Sequence, residues 1–219
     1  MIDIHSHLLF DIDDGPKSLE SSVNMLEAAA KDGITSIILT PHFLPGIAQR
    51  LKQRLEILRP EAENLNIKLF HGCEYDFSQL HKQEELITLG VKGRFVLIDF
   101  CLTPINPITI NSLYNWQEKA YKIILAHPER LFSKDDLPAL KDLAEADVYF
   151  QLNAGSFMGD YGHRIQKFAR TLLANDLCHF IASDAHSTKN YAGQIPTCHK
   201  FLKEEFFKEN PQKMLDGKL

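Results

Sequence analysis

Two histidines two positions apart, His5 and His7, stand in the segment DIHSHLLFDIDDG at residues 3–15. In an extended strand, side chains at positions i and i+2 project from the same face, so both imidazoles can converge on one point. The segment ends in a cluster of aspartates that includes Asp14. Imidazoles beside carboxylates are typical of metal sites, although a lone His-x-His pair at a strand end also occurs without a metal.

Further residues of metal-ligand type follow nearly every short apolar run of the chain. They are His42, Glu74, Asp99, His127, Asp184 and His186. With the first segment they make five histidines and four carboxylates. This mixture suits a centre of two or three borderline or hard divalent cations, in which a carboxylate bridges metals and neutral imidazoles complete each shell.

Two of the carboxylates have a second interpretation. Asp11 and Asp13 compete with Asp14 for the ligand role, because aspartates commonly start turns before Gly and Pro. Asp99 lies within an apolar run and could instead be a buried, hydrogen-bonded carboxylate. The sequence leaves both choices open.

The composition is that of a globular protein, with 44% hydrophobic and 24% charged residues among 219 and a formal net charge of -5. No cluster of lysines and arginines stands out, so a nucleic-acid partner is not expected. No apolar run is long enough to cross a bilayer, and the functional segment begins too early for a signal peptide to precede it. We therefore expect a cytoplasmic protein that is not embedded in a membrane.

The four cysteines, Cys73, Cys101, Cys178 and Cys198, lie far apart and never form Cys-x-x-Cys. This spacing favours buried thiols over disulfides or a zinc knuckle. None is followed by Arg six positions later, so the Cys-x5-Arg loop of cysteine-dependent phosphatases is absent. A covalent phosphocysteine mechanism is not expected.

Short apolar, β-branched runs alternate with helical patterns along the whole chain. The runs begin near Ile2, Thr35, Lys68, Arg94, Lys122, Val148 and Cys178. Helical spacing predicts a first helix between Pro16 and Gly33, and later helices over 49–65, 110–120, 135–146, 162–175 and 197–207. No linker or repeat interrupts this rhythm, which predicts one domain over residues 1–219.

Alternating strands and helices predict an α/β fold with a parallel sheet and helical crossovers. Seven such strands can close into a β/α barrel, and an open doubly wound sheet is the alternative. The barrel is favoured because polar residues follow so many strands, and barrel active sites lie at the C-terminal ends of the strands. We expect the metal site at those ends.

The motifs resemble those of the polymerase and histidinol phosphatase (PHP) superfamily, and most closely its bacterial phosphotyrosine-protein phosphatases of capsule and exopolysaccharide systems. They are DIHSHLLFDIDDGPKS, TPH, GCEYD, LIDF, AHPER, LNAGS, FIASDAH and ENP. The resemblance spans essentially the whole chain. It implies a distorted seven-stranded β/α barrel with two or three divalent cations, with manganese preferred over iron or zinc.

The resemblance also implies a role for each candidate residue. His5, His7, Glu74 and Asp184 would hold one metal; Glu74, Asp99 and His127 the second; Asp14, His42 and His186 the third. Arg130 would bind the substrate phosphate, although it could instead pair with Glu129 or a nearby helix. Two departures stand out: the LIDF position is usually Glu in this family, and the Arg-Pro-Pro segment after Asp-x-His is replaced by STKNYAGQIP.

The expected function is hydrolysis of a phosphoric monoester by metal-activated water. The resemblance implies a protein-tyrosine phosphatase whose substrate is the phosphorylated tail of a cognate bacterial tyrosine autokinase. Alternatives are a small-molecule phosphatase such as a histidinol phosphatase, a metal amidohydrolase or nuclease, and a regulatory PHP-domain protein with weakened catalysis. The oligomeric state is left open.

Overall fold

The computed structural model describes residues 1–90, 92–101, 103–191 and 194–219. Its strands are β1 (Ile2–Ser6), β2 (Ser36–Leu39), β3 (Lys68–His71), β4 (Glu74–Asp76), β5 (Phe95–Asp99), β6 (Lys122–Ala126), β7 (Tyr149–Asn153) and β8 (Phe180–Ala182). Strands β1 to β3 form one sheet and β4 to β8 another, each with its strands in chain order. All the pairings within these sheets are parallel, which confirms the prediction of an α/β fold with parallel strands.

The strand count differs from the prediction at one place. The run that begins at Lys68 forms two short strands, β3 and β4, with Gly72 and Cys73 between them. A Cβ atom at Gly72 would lie 2.7 Å from Leu89 Cδ2 and 3.0 Å from Ile38 Cγ2, so the chain passes close to its neighbours here. The described residues therefore contain strands in groups of three and five rather than one set of seven.

Two isolated parallel bridges connect residues that belong to, or directly follow, strands of different sheets. One joins Ser6 at the end of β1 to Ala185, and the other joins His42 to Glu74 at the start of β4. The two sheets are thus in backbone contact on both sides, close to the residues of metal-ligand type.

The helices are α1 (Leu19–Lys31), α2 (Ile47–Asn64), α3 (Pro107–Glu118), α4 (Pro128–Leu131), α5 (Leu137–Glu145), α6 (Ala154–Met158), α7 (His163–Leu173), α8 (Gln194–His199) and α9 (Glu209–Leu215). Ser18 caps α1 through its side chain, so the helix begins after Pro16, and Gly33 follows its end at a φ of +76°. The helix predicted over 197–207 is wrong, because α8 ends at His199 and Lys203 is extended before a short 3₁₀ helix.

The strands bury both of their faces, as expected for parallel sheets covered by helices. In β5, Val96 and Ile98 join the large cluster that packs under the helices. The alternate residues, Phe95 and Leu97, join a smaller cluster that also contains Met214 of α9. Alternation along the strand therefore separates a helix-facing core from an inner core.

Buried polar side chains gather where several strands end. His5, His127, Asn153 and Asp184 lie at or just beyond the carboxyl ends of β1, β6, β7 and β8, and all four are buried. Within the described residues, no helix combines the length and the apolar character needed to cross a membrane. The carboxyl ends of the strands are the natural place to look for a functional site.

Candidate metal centre

A one-residue irregularity in β1 decides how the first histidine is presented. The register with β2 shifts between Asp3 and Ser6, so β1 contains one residue more than its partner over this stretch. Such bulges re-aim side chains. His5 lies against Gln151 of β7, with its Nδ1 atom 2.9 Å from the amide oxygen of that residue.

The second nitrogen of His5 points to a cluster of other ligand-type groups. Its Nε2 atom lies 3.1 Å from His7 Nε2, 3.4 Å from Glu74 Oε1 and 3.4 Å from Asp184 Oδ1. Two imidazole nitrogens at this separation beside two carboxylates form a convergent array of possible ligand atoms. That array suits a shared cation better than a chain of hydrogen bonds.

His7 is held from behind by an aspartate. Its Nδ1 atom lies 2.8 Å from Asp13 Oδ2, while its Nε2 atom faces Glu74 Oε2 at 3.2 Å. Asp13 also accepts hydrogen bonds from the backbone N–H groups of Gly15 and His42. A carboxylate that holds the outer nitrogen of an imidazole is the usual support of a metal-binding histidine.

The three competing aspartates of the first segment have different surroundings. Asp13 lies behind His7, and the carboxylate of Asp11 pairs with Arg54 at 2.6 Å. Asp14 instead faces His186, with 3.2 Å between Oδ1 and Nε2. Of the three, Asp14 has the surroundings of a ligand.

Glu74 lies at the middle of the cluster and is almost fully buried. Its Oε1 atom is 3.0 Å from His127 Nε2, and its Oε2 atom is 3.0 Å from His42 Nδ1. Among the described residues, Oε2 has no hydrogen-bonding partner of good geometry. Burial alone would raise the pKa of Glu74, but His5 and the other imidazoles hold it well below its ordinary value.

Three overlapping groups bring ligand atoms within 4.8 Å of one another. They are His7, Asp14, His42 and His186; His5, His7 and Asp184; and His5, Glu74 and His127. The donors are imidazole nitrogens and carboxylate oxygens without thiolates, as borderline divalent cations prefer. The convergent donor set, with an unsatisfied buried carboxylate oxygen at its centre, fits a site for more than one cation.

Neighbouring carboxylates raise the pKa of two imidazoles in the cluster. Burial opposes the charge on His7, but Asp13 and Glu74 raise its pKa to about 10. In the same way Glu74 raises the pKa of His127 to about 9 against the effect of burial. Protons here stabilise the same negative charge that a bound cation would neutralise.

Two candidate ligands have a strained backbone. His127 has a φ of +30° at the start of α4, and Asp184 has a φ of +52° just after β8. Left-handed conformations are rare outside glycine and occur preferentially at functional sites. The conformation places both side chains in the cluster.

Arg130 in α4 lies at the edge of the cluster. Its Nη1 atom donates a 2.6 Å hydrogen bond to Asp184 Oδ2, and its guanidinium carbon lies 4.9 Å from the centre of the Tyr161 ring. Glu129, the other partner considered for it, is fully buried and instead accepts hydrogen bonds from the Asn153 backbone and the Ser156 hydroxyl. The arginine is therefore presented to the candidate centre.

The family model for capsular polysaccharide synthesis proteins of the CpsB/CapC type matches residues 1–216 of this chain. The chain belongs to the CpsB/CapC family. This membership agrees with the PHP resemblance of its motifs.

Two named relatives are similar to this chain in sequence over nearly their whole length. The CapC protein of Staphylococcus aureus is 32% identical, with 100% of this chain and 90% of the relative covered. The tyrosine-protein phosphatase YwqE of Bacillus subtilis is 30% identical, with 99% of this chain and 89% of the relative covered.

A solved structure from work on YwqE of Bacillus subtilis and CpsB of Streptococcus pneumoniae, described as unique metal-dependent tyrosine phosphatases, superposes with a TM-score of 0.83. It is 28% identical and covers 100% of this chain and 96% of its own. The whole fold, including the strand ends that carry the cluster, is therefore similar to that of this CpsB/CapC-type structure.

One predicted ligand of this CpsB/CapC family member lies outside the three groups. Asp99 Oδ1 accepts a 2.7 Å hydrogen bond from the Cys101 backbone N–H, and its Oδ2 atom lies 3.4 Å from Cys101 Sγ. The same thiol lies 3.1 Å from Asp76 Oδ2. Asp is one methylene shorter than the Glu that the resemblance implies at this position. Its carboxylate is held by Cys101, and its charge still contributes to the raised pKa of His127.

Sequence reasoning missed Gln151, and it did not predict that Asn153 supports a ligand. Gln151 bonds His5 and donates to Asn153 Oδ1, while Asn153 donates to Asp184 Oδ2 at 2.8 Å. A signal was present in the sequence, because Gln151 and Asn153 are polar residues two apart in an otherwise apolar strand. Their alternation predicts one common face, although not which ligand they touch.

Proposed function

We propose that this protein is a metal-dependent protein-tyrosine phosphatase that acts in capsule or exopolysaccharide regulation. The observation that carries the proposal is the convergence of three ligand groups around Glu74, with Arg130 beside Asp184. Family membership and the printed activities of the relatives support the reaction class. The proposed substrate is a phosphotyrosine protein, namely the tail of a cognate tyrosine autokinase.

The proposed ligand sets are those that the resemblance implies, and the three groups of the structure overlap with them. His5, His7, Glu74 and Asp184 would hold one cation, Glu74 and His127 with Asp99 a second, and Asp14, His42 and His186 a third. Manganese is the proposed metal because the PHP resemblance implies it, and the imidazole and carboxylate set without thiolates is compatible with it. When bound, such cations would activate a water for in-line attack and neutralise charge on the phosphate.

The residues of the chain would supply orientation. The guanidinium of Arg130 can grip two phosphate oxygens at once, which a lysine cannot do. Tyr161 lies against that guanidinium and restricts its motion. Asp13 and Gln151 fix the ring orientations of His7 and His5, so that their Nε2 atoms face the centre.

We also propose that residues 1–219 form one PHP domain whose sheets make a single distorted barrel. Counting β3 and β4 as one bent strand gives seven strands. The chain-order arrangement of the strands and the bridges at Ser6 and His42 support closure, because a doubly wound sheet reverses its strand order.

The four free thiols support a reducing, cytoplasmic location.

The first experiment measures phosphate release from a phosphotyrosine peptide with Mn²⁺ and, in parallel, with EDTA. We expect turnover that requires the metal, and the same assay with histidinol phosphate separates a protein substrate from a metabolite. Glu74→Gln removes the central charge and is expected to abolish metal binding and turnover, while Glu84→Gln on the exposed loop changes neither. Absence of turnover on every substrate, with metal bound, would favour the regulatory alternative.

A second variant tests the phosphate-binding role. Arg130→Ala is expected to lower kcat/KM about tenfold to 100-fold, the value of a lost charge-assisted contact, with metal content unchanged. Arg170→Ala, on the exposed face of α7, is the control. An Arg130→Ala protein with undiminished kinetics would remove this residue from the site.

A further inference from the structure

A cavity of about 500 Å³ lies beside the candidate metal centre and has no role in the mechanism above. We call it the side groove, and its walls include Asp160, Tyr161, Lys189, Asn190, Gln194 and Thr197. These residues come from the α6–α7 connection, from the 3₁₀ helix Thr188–Tyr191 and from α8. It is separate from the pockets on the remaining faces of the described chain.

The side groove begins where the metal centre ends. On one wall, the ring of Tyr161 lies 4.9 Å from the guanidinium carbon of Arg130. On another, Asn190 Oδ1 accepts a 3.1 Å hydrogen bond from the backbone N–H of His186. The groove is therefore within reach of a molecule whose phosphate rests on Arg130.

A glycine packs against three wall residues of the side groove. A Cβ atom at Gly155 in α6 would lie 3.2 Å from Asp160 Oδ2, 3.2 Å from Tyr161 Cε2 and 3.4 Å from Gln194 Nε2. The two contacts at 3.2 Å are tighter than about nine in ten real Cβ contacts. The absence of a side chain at this position lets the three residues pack closely on α6.

The side groove holds one carboxylate and one ammonium. The carboxylate of Asp160 is held by a hydrogen bond from the neutral Gln194 amide and keeps its negative charge. Lys189 is exposed and, within the described part of the chain, makes no ion pair or hydrogen bond. An anionic group in the groove would find an unpaired ammonium there.

We propose that the side groove binds the peptide segment next to the phosphotyrosine, and that Lys189 pairs with an acidic side chain of that segment. The inference rests on the proposed function and narrows its substrate to phosphotyrosine in an acidic sequence context. A small phosphorylated metabolite would leave the groove empty. Rim charges of this kind set partner selection more than overall affinity.

The test compares two phosphotyrosine peptides of equal length, one with Glu and one with Lys on both sides of the tyrosine. The quantity measured is the ratio of their kcat/KM values with Mn²⁺. We expect the wild-type protein to prefer the Glu peptide by about threefold and Lys189→Glu to prefer the Lys peptide by a similar factor, as for exposed ion pairs. Lys141→Glu, on the exposed face of α5, should keep the wild-type ratio.

Other outcomes overturn the proposal. A ratio that is the same in the wild type and Lys189→Glu would remove Lys189 from peptide recognition. If Lys189→Glu lowered kcat/KM equally for both peptides, Lys189 would act on the phosphate that they share. A preference that disappears at low salt would also contradict an ion pair, because screening weakens exposed pairs at high salt.

A binding measurement separates this inference from the proposed function. Fluorescent versions of both peptides with a non-hydrolysable phosphonate in place of the phosphate are titrated with Mn²⁺-loaded protein, and anisotropy gives Kd. The same reversal of preference is expected without any turnover. Failure of the proposed function would appear as absent hydrolysis, whereas failure of the inference would appear as Kd ratios that ignore the charge at position 189.

Discussion

The phenol oxygen of Tyr191 lies 2.9 Å from a carboxylate oxygen of Asp3, 188 residues away in the chain, and donates its hydrogen to it. The same Asp3 accepts from the backbone N–H and the hydroxyl of Ser183. All three residues are buried. Asp3 thus ties the start of β1 to both ends of the segment that carries Asp184 and His186.

Tyr191→Phe should therefore lower both the stability of the protein and its affinity for a metal ion. The variant leaves a buried carboxyl group one donor short, which costs about 1–3 kcal/mol of unfolding free energy. It should also weaken binding of the cation held by His186, because the segment is less firmly attached to β1. Urea unfolding of EDTA-treated protein and a Mn²⁺ titration measure the two effects, and Tyr114→Phe on the exposed surface is the control.

Asp13→Asn tests the support of His7. An asparagine keeps the shape but loses the charge that holds the Nδ1–H group, and loss of such a partner lowers metal affinity about tenfold to 100-fold. Calorimetric titration of Mn²⁺ into stripped protein measures the change. Asp11→Asn is the matched control, since that carboxylate pairs with Arg54 away from the cluster. Equal affinities for both variants would contradict a supporting role for Asp13.

Metal binding should release protons. The pKa of His7 is raised to about 10 and that of His127 to about 9, so both imidazoles are protonated at neutral pH before a cation arrives. An imidazole must be neutral to bind a metal ion, so metal binding displaces these protons, and the affinity for the metal rises with pH. Titrations in buffers of different ionisation enthalpy count the released protons. An affinity that is flat between about pH 6 and pH 8 would argue against this.

Asp99→Glu should strengthen the second cation position. The longer side chain can leave the hydrogen bonds with Cys101 and reach toward Glu74 and His127, so we expect tighter Mn²⁺ binding and faster turnover. Asp76→Glu, which lengthens the other carboxylate beside the same thiol, should bring no such gain. Weaker Mn²⁺ binding by Asp99→Glu would show that the shorter aspartate already suits this position.

The outline of the site was accessible from the sequence, because strand alternation and parallel pairing bring ligand-type residues to one end of the sheets. His5, His7 and Asp184 are examples, each at or beside a strand end. The partners of the ligands were less accessible, since Gln151 meets His5 across 146 residues of sequence. The position of Asp99 was also not predictable, because it depends on the backbone and thiol of a neighbour in a left-handed conformation.

The extra residue in β1 makes the length of this strand as important as its composition. Deletion of Ile4, which lies between Asp3 and Ser6, would restore the regular register with β2 and would remove the bulge that re-aims His5. Both histidines would remain in the sequence, yet His5 would no longer be aimed at Glu74 and Asp184. In comparisons between relatives, a gap at this point should therefore be a stronger sign of a lost centre than replacement of any one apolar residue nearby.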